Sequence, residues 1–145
     1  MTAETEIRNL IFRYARAIDE GRFNDLGVLF SRGRILFDMS EESGAAVGEN
    51  EVTALYERTT RRYENGTPNT HHLTSNIEIA VDKDSASSIS YFTVFQSLPD
   101  FDLQPIIAGK YFDTFVLHTD GWWFDTRSMK ITLTGDLSKH LLIEI

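Results

Sequence analysis

The sequence predicts an α+β fold with helices packed on one face of a curved, mostly antiparallel sheet. Two observations carry this. Apolar residues recur at helical spacing through the first third of the chain, and after Pro68 the pattern switches to a run of consecutive strands. A third is the Thr119-Asp120-Gly121 stretch between two apolar runs, a hairpin signal that places the last strands side by side. Helices first and strands after is the α+β order.

The first helix is marked by Ile7, Leu10, Ile11, Tyr14 and Ile18, which share one face. Glu4 and Glu6 suit its first turn through the helix dipole, and Gly21 is its stop. A short second helix is predicted over 23–30, with Phe23, Leu26, Leu29 and Phe30 apolar. Arg34 to Met39 reads as a strand, and Ser40 to Ala46 as a loop. The third helix is predicted near 50–64, with Val52, Leu55, Tyr56 and Tyr63 inward and Gly66 and Pro68 closing it. Strands follow over 70–81, 85–98, 106–118 and 122–133, with Pro99 to Asp102 as a break. Strict alternation places Leu73, Ile77, Ile79 and Val81 together, opposite His72.

At 145 residues the chain is one domain, residues 1–145, by the usual span of roughly 100–200 residues per domain. It has no cysteine, which excludes a disulfide scaffold, a thiol nucleophile and thiolate-bound metal. Twenty-two acidic against fourteen basic residues give a net charge of −8, which argues against nucleic acid and anionic membranes as partners. The first residues lack a basic start and an apolar run, and no stretch approaches the roughly 18 apolar residues of a membrane span, so a cytoplasmic protein is expected.

No nucleotide-cradling glycine loop, nucleophile elbow or metal-ligand spacing is present, so neither a cofactor nor a metal is expected. His71 and His72, adjacent in a strand, point to opposite faces and do not readily share a metal. On spacing alone Asp19 reads as a solvated acid at a helix end, where the dipole disfavours it. Arg127, flanked by Thr126 and Ser128, reads as a surface arginine. Tyr91, Phe92, Phe95, Tyr111, Phe112 and Phe115 read as core.

Four stretches, taken in order, resemble the SnoaL-like proteins: Arg13 to Leu26, Thr70 to Ile77, Gly109 to Asp113 and Asp120 to Phe124. The resemblance spans nearly the whole chain. It points to the branch that holds scytalone dehydratase, the lindane dehydrochlorinase and the small subunits of ring-hydroxylating dioxygenases. It implies the cone-shaped fold of nuclear transport factor two, with three helices against a strongly curved sheet and a pocket at the open end. It also implies site residues. Asp19 and His72, counted back from Asn76, match an acid and a histidine of the dehydratase and dehydrochlorinase members. Tyr14 stands where the dehydrochlorinase has a lysine, and Phe92, Val94, Ile107 and Tyr111 match pocket-lining positions, with Arg127 near a pocket arginine.

The activity so implied is that of a cofactor-independent lyase or isomerase. His72, oriented by Asp19, would take a proton from a carbon of a small, hydrophobic, probably cyclic substrate. Two other readings stay open, a non-catalytic ligand-binding or dioxygenase small-subunit-like protein and a polyketide cyclase-like enzyme, because the fold hosts all of them. The branch also implies a homo-oligomer, dimer or trimer, with Ile77, Ile79 and Val81 as an outward apolar row in or beside the contact.

Overall fold

A computed structural model describes every residue, Met1–Ile145. Helix α1 (Ala3–Asp19) is capped by Thr2, whose hydroxyl accepts from the Thr5 amide, and it buries Ile7, Leu10, Ile11, Tyr14, Ala17 and Ile18. Helix α2 (Phe23–Leu29) and helix α3 (Gly48–Thr59) pack against each other. Between them run the short strands β1 (Arg34–Leu36) and β2 (Ala45–Val47). Four long strands follow: β3 (Thr70–Asp82), β4 (Ser85–Leu98), β5 (Phe101–His118) and β6 (Gly121–Thr134). They form one unclosed six-stranded sheet in the order β2-β1-β6-β5-β4-β3. Every pairing is antiparallel except β1 with β6. The three helices cover its concave face, and the core lies between.

The predicted strand over 34–39 ends at Leu36, because Asp38 and Met39 take left-handed backbone that closes a 3₁₀ turn. The predicted loop over 40–46 is instead a second 3₁₀ turn and strand β2, which returns antiparallel on β1 with Ile35 opposite Ala46. Helix α3 stops at Thr59, short of Glu64, and Thr60 is extended. The C-terminal segment supplies the bonds that helix would have made. The Arg61 amide donates to the His140 carbonyl, the Leu142 amide donates to the Thr59 carbonyl, and Thr60 bridges to Leu141. Strand β5 begins at Phe101 rather than Ile106. Pro105 is accommodated at a register shift opposite Val94 and Phe95, where the ladder is already broken and its missing N–H costs little.

The largest departure is inside β3. Asn76 sits at φ 52°, and the pairing slips between Ser75 and Glu78. That bulge adds one residue to β3 and inverts its alternation. His72 and Thr74 before it, and Ile77 and Ile79 after it, all turn toward the concave side. Ile77 and Ile79 therefore pack on the core, and the expected outward row of Ile77, Ile79 and Val81 does not exist. The convex face carries a different apolar set. Leu73 pairs with Thr93, Thr93 with Ala108 and Ala108 with Leu133, while Tyr91 and Ile89 follow on the same face of β4. Leu73, Ile89, Tyr91 and Leu133 are exposed.

Candidate functional site

Two glycines set the local geometry. Gly21, at φ 71°, turns the chain out of α1 so tightly that a Cβ there would lie 1.9 Å from the Gly66 carbonyl oxygen. The end of α1 is thereby held against the loop that leads into β3. Gly109 faces the Phe92 ring, where a Cβ would come within 2.8 Å; its absence lets Phe92 stack on Tyr111 with ring centres 4.4 Å apart.

Asp19 is the last residue of α1, and β3 begins beside it. Its carboxylate accepts three hydrogen bonds from β3. The Thr70 hydroxyl donates to Oδ1 at 2.8 Å, the His72 amide to Oδ2 at 2.8 Å, and the His72 ring to Oδ1 through Nδ1 at 2.6 Å. The His72 side chain is 6% exposed and that of Asp19 20%. Burial would raise the Asp19 pKa, yet the His72 ring, the His72 amide and Thr70 together hold it below its ordinary value. Asp19 is thus ionised at neutral pH and only accepts. Nδ1 of His72 must then carry a proton, so in the neutral imidazole the lone pair sits on Nε2, a nitrogen with no hydrogen-bond partner in the protein. The helix dipole that disfavours an acid at this end is outweighed by three directed donors. Asp19 is therefore not the solvated acid that its spacing suggested.

Tyr14, Phe92, Val94, Ile107 and Tyr111 are all buried within the concave core. They pack against one another. Tyr14 meets Tyr111 edge-on at 5.6 Å and Tyr56 at 6.1 Å, and the Tyr14 and Tyr56 hydroxyls share a short hydrogen bond. Burial raises the pKa of all three tyrosines, strongly for Tyr56 and Tyr111, so each is a neutral hydroxyl. Two surface clefts of about 500 and 510 Å³ lie elsewhere, one between α1 and the β5–β6 turn and one along α2 and α3. No residue assigned to the site from the sequence lines either.

Arg127 corrects the surface expectation outright, for it is wholly buried. Register decides this, not the polar neighbours in sequence. On β6 it stands between Ile35 of β1 and Asp113 of β5, all on the concave face. Nε and Nη2 donate to the two Asp113 oxygens at 2.7 and 2.8 Å, and the guanidinium lies 3.7 Å from the Tyr111 ring centre and 4.1 Å from that of Tyr14. Burial alone would lower its pKa, but Asp113 more than reverses that and it stays charged.

Sequence reasoning missed four residues here. Tyr56 was read only as core, although its hydroxyl meets Tyr14. Asp113 entered only as the end of the Gly109 to Asp113 stretch, with no role attached, and Gln96 carried no signal beyond inward parity on its strand. His140 lies in an unpatterned tail, yet it is 7% exposed, and its pKa is lowered to about 4 by burial and by His72, against Asp19. No three His, Asp or Glu side chains gather as a metal-binding group. No helix is long and apolar enough to cross a membrane.

Residues 1–128 match the model of the SnoaL-like domain. The chain belongs to this SnoaL-like family. Among solved structures it is similar to a nuclear transport factor two-like protein with a cystatin-like fold from Novosphingobium aromaticivorans. That pair superposes at TM-score 0.74 and 20% identity, covering 94% of this chain and 86% of the other. A scytalone dehydratase-like protein of the same organism gives 0.68 at 24% identity over 90% and 84%. An aromatic ring hydroxylase-like protein, also from that organism, gives 0.70 at 17% identity over 94% and 95%. At these identities the SnoaL-like chain shares a fold with them. None of the curated proteins matches it.

Proposed function

We propose that this SnoaL-like protein is a lyase or isomerase that works by proton abstraction from carbon, with His72 as base and Asp19 as its orienting partner. One observation carries the reading. The 2.6 Å contact from Asp19 to Nδ1 fixes the tautomer and leaves Nε2 free to take a proton. As the C–H proton moves to Nε2, the bonding pair becomes a C=C bond. Either a leaving group departs from the neighbouring carbon with its own electron pair, or the proton returns elsewhere and the double bond has moved. Asp19 stabilises the imidazolium formed. Side chains alone supply this chemistry, and the aromatic surroundings suit a small, hydrophobic, cyclic substrate.

The test is a panel of small cyclic ketones with a hydroxyl or chloride β to the carbonyl, incubated in D₂O and followed by proton NMR. The wild type eliminates, or exchanges α-protons of, at least one member. His72→Ala, folded by circular dichroism, loses about 10²–10⁴-fold in rate. A wild type inert to the whole panel, or an unimpaired His72→Ala, ends the enzymatic reading.

A second reading rests on a different observation. Tyr14, Phe92 and Tyr111 fill the space they were expected to line, and neither large cleft reaches His72. A non-catalytic ligand-binding or dioxygenase small-subunit-like protein fits that packing, and an inert wild type that still binds members of the panel selects it. For either role we propose a homo-oligomer, dimer or trimer, assembled through the convex row of Leu73, Tyr91, Ile89 and Leu133.

A further inference from the structure

Beyond the last strand, residues 135–145 cross the end of the sheet as a strap. The Gly135 amide donates to the Ile106 carbonyl, and Leu137 packs on the core. Gln96 and the Tyr63 hydroxyl both donate to the Lys139 carbonyl, and Arg61 donates to that of His140. Strands β4 and β5 and the segment after α3 thus converge to hold one short stretch, and what it carries inward is His140.

Five buried side-chain polar atoms have no hydrogen-bond partner in the protein: Thr74 Oγ1, Ser90 Oγ, Gln96 Oε1, Arg127 Nη1 and His140 Nδ1. A buried donor or acceptor left unmatched costs about 1–3 kcal/mol, so such atoms are ordinarily few and scattered. Two of them, Gln96 Oε1 and His140 Nδ1, belong to the same end of the sheet, where the Gln96 amide donates to the Lys139 carbonyl. Thr74, Ser90, Gln96 and Arg127 lie on the inward parity of β3, β4 and β6, and His140 lies on the strap. The strap runs beside the proposed base: Gln96, which donates to the Lys139 carbonyl, is the strand partner of Thr70, and Thr70 donates to Asp19.

The charges on this wall are already matched. Asp19 is held by Thr70 and His72, and Arg127 by Asp113. Tyr14, Tyr56 and Tyr111 are neutral. An ionic ligand would find no free counter-charge, and burying it would be costly. A neutral oxygen, by contrast, is matched by the unpartnered His140 imidazole, which can donate or accept.

We propose that His140, delivered by the C-terminal strap, is a ligand-binding residue of the His72 site that hydrogen-bonds the neutral oxygen, carbonyl or hydroxyl, of an uncharged hydrophobic ligand. This rests on the reading of the concave core as the ligand site, and it extends that reading with a residue from outside the sheet and with a substrate class. Asp19 and His72 handle the proton on carbon. His140 holds the oxygen that stabilises the resulting electron density.

The test uses 1-indanone and its hydrocarbon counterpart indane, which differ by one neutral oxygen. Binding is measured by ligand-observed NMR on the full chain, with the imidazole ¹⁵N resonances of His140 followed in parallel. In the wild type 1-indanone moves the His140 resonances and indane does not. His140→Phe weakens 1-indanone about tenfold, the value of one hydrogen bond near 1.4 kcal/mol, while indane binding changes by less than about twofold. His140→Gln, which keeps a donor, restores part of the ketone affinity. Equal weakening of both compounds shows a merely structural role and overturns the proposal, as does an unmoved His140 resonance or a wild type that binds neither compound. Binding is read here without turnover. Loss of the D₂O chemistry with intact His140 dependence therefore removes the enzymatic reading alone, and the converse removes only this one.

Discussion

Acidification is predicted to weaken the fold through His140. An unfolded histidine titrates near 6.5, and in the folded chain burial and His72 push His140 down to about 4. Between those values the unfolded chain binds a proton that the folded one refuses, so stability rises with pH across that window and is level above it. A gap of about 2.5 units at 1.36 kcal/mol each gives about 3 kcal/mol in full, of which about 2 kcal/mol is gone by pH 5. The side chain is 7% exposed, so solvent screening takes little from this. Asp19 acts lower down. Its depressed pKa adds stability above the ordinary carboxylate range and loses it as pH falls through the folded value.

Urea unfolding at pH 7.5, 6, 5 and 4.5, for wild type and His140→Gln, separates the two. The variant's stability should change less with pH, and the difference between the curves should shrink by about 2 kcal/mol from pH 7.5 to 5. The strap should answer first. The Arg61 and Leu142 amides, bonded to the His140 and Thr59 carbonyls, should exchange faster at pH 5 than the amides of β4. Parallel curves for the two proteins, or a His140 imidazole that titrates near its ordinary value, refute the reasoning.

Three further outcomes are expected. Asp113→Asn or Arg127→Met alone should cost about 3–5 kcal/mol in urea unfolding by leaving a buried charge unmatched, and the double replacement Asp113→Leu with Arg127→Met markedly less; a double variant as damaged as the sum of the singles contradicts this. Asn76→Gly should be neutral or slightly stabilising and Asn76→Val should cost about 1–2 kcal/mol, because φ 52° suits a glycine and not a β-branched residue; equal effects on the thermal midpoint contradict the bulge. Light scattering at tens of micromolar (an ordinary assay range) should give a dimer or trimer, dissociated by Leu133→Lys, and a wild-type monomer removes the proposed convex interface.

Local pattern made some elements readable in the sequence and hid others for identifiable reasons. Helix α1 and strand β4 follow one period throughout, and β4 buries Ala86, Ser88, Ser90, Phe92, Val94 and Gln96 in unbroken alternation. Helix α3 was overrun because the residues after Thr59 are acceptable helix formers. The competing bonds come from residues 140–142, some eighty positions away, and no local pattern reports them. Arg127 misled because its sequence neighbours are polar while its partners Ile35 and Asp113 are set by strand register. The closeness of Asp19 and His72 was legible only through family resemblance, since each taken alone looks ordinary. His140 had no precursor signal at all, being one histidine in a tail without periodicity.

Asn76 has a consequence for how β3 tolerates change. One left-handed residue makes the strand two half-strands of opposite phase, so even positions look inward before it and odd positions after it. A map of substitution tolerance along β3 should therefore invert its parity at residue 76. Deleting that single residue, with no change of composition elsewhere, would force a choice between two incompatible frames. Keeping His72 against Asp19 would swing Ile77 and Ile79 out to water, and keeping those two isoleucines in the core would carry His72 away from its acid. The bulge is thus the hyphen that lets one strand serve both the hydrophobic interior and the acid–base pair.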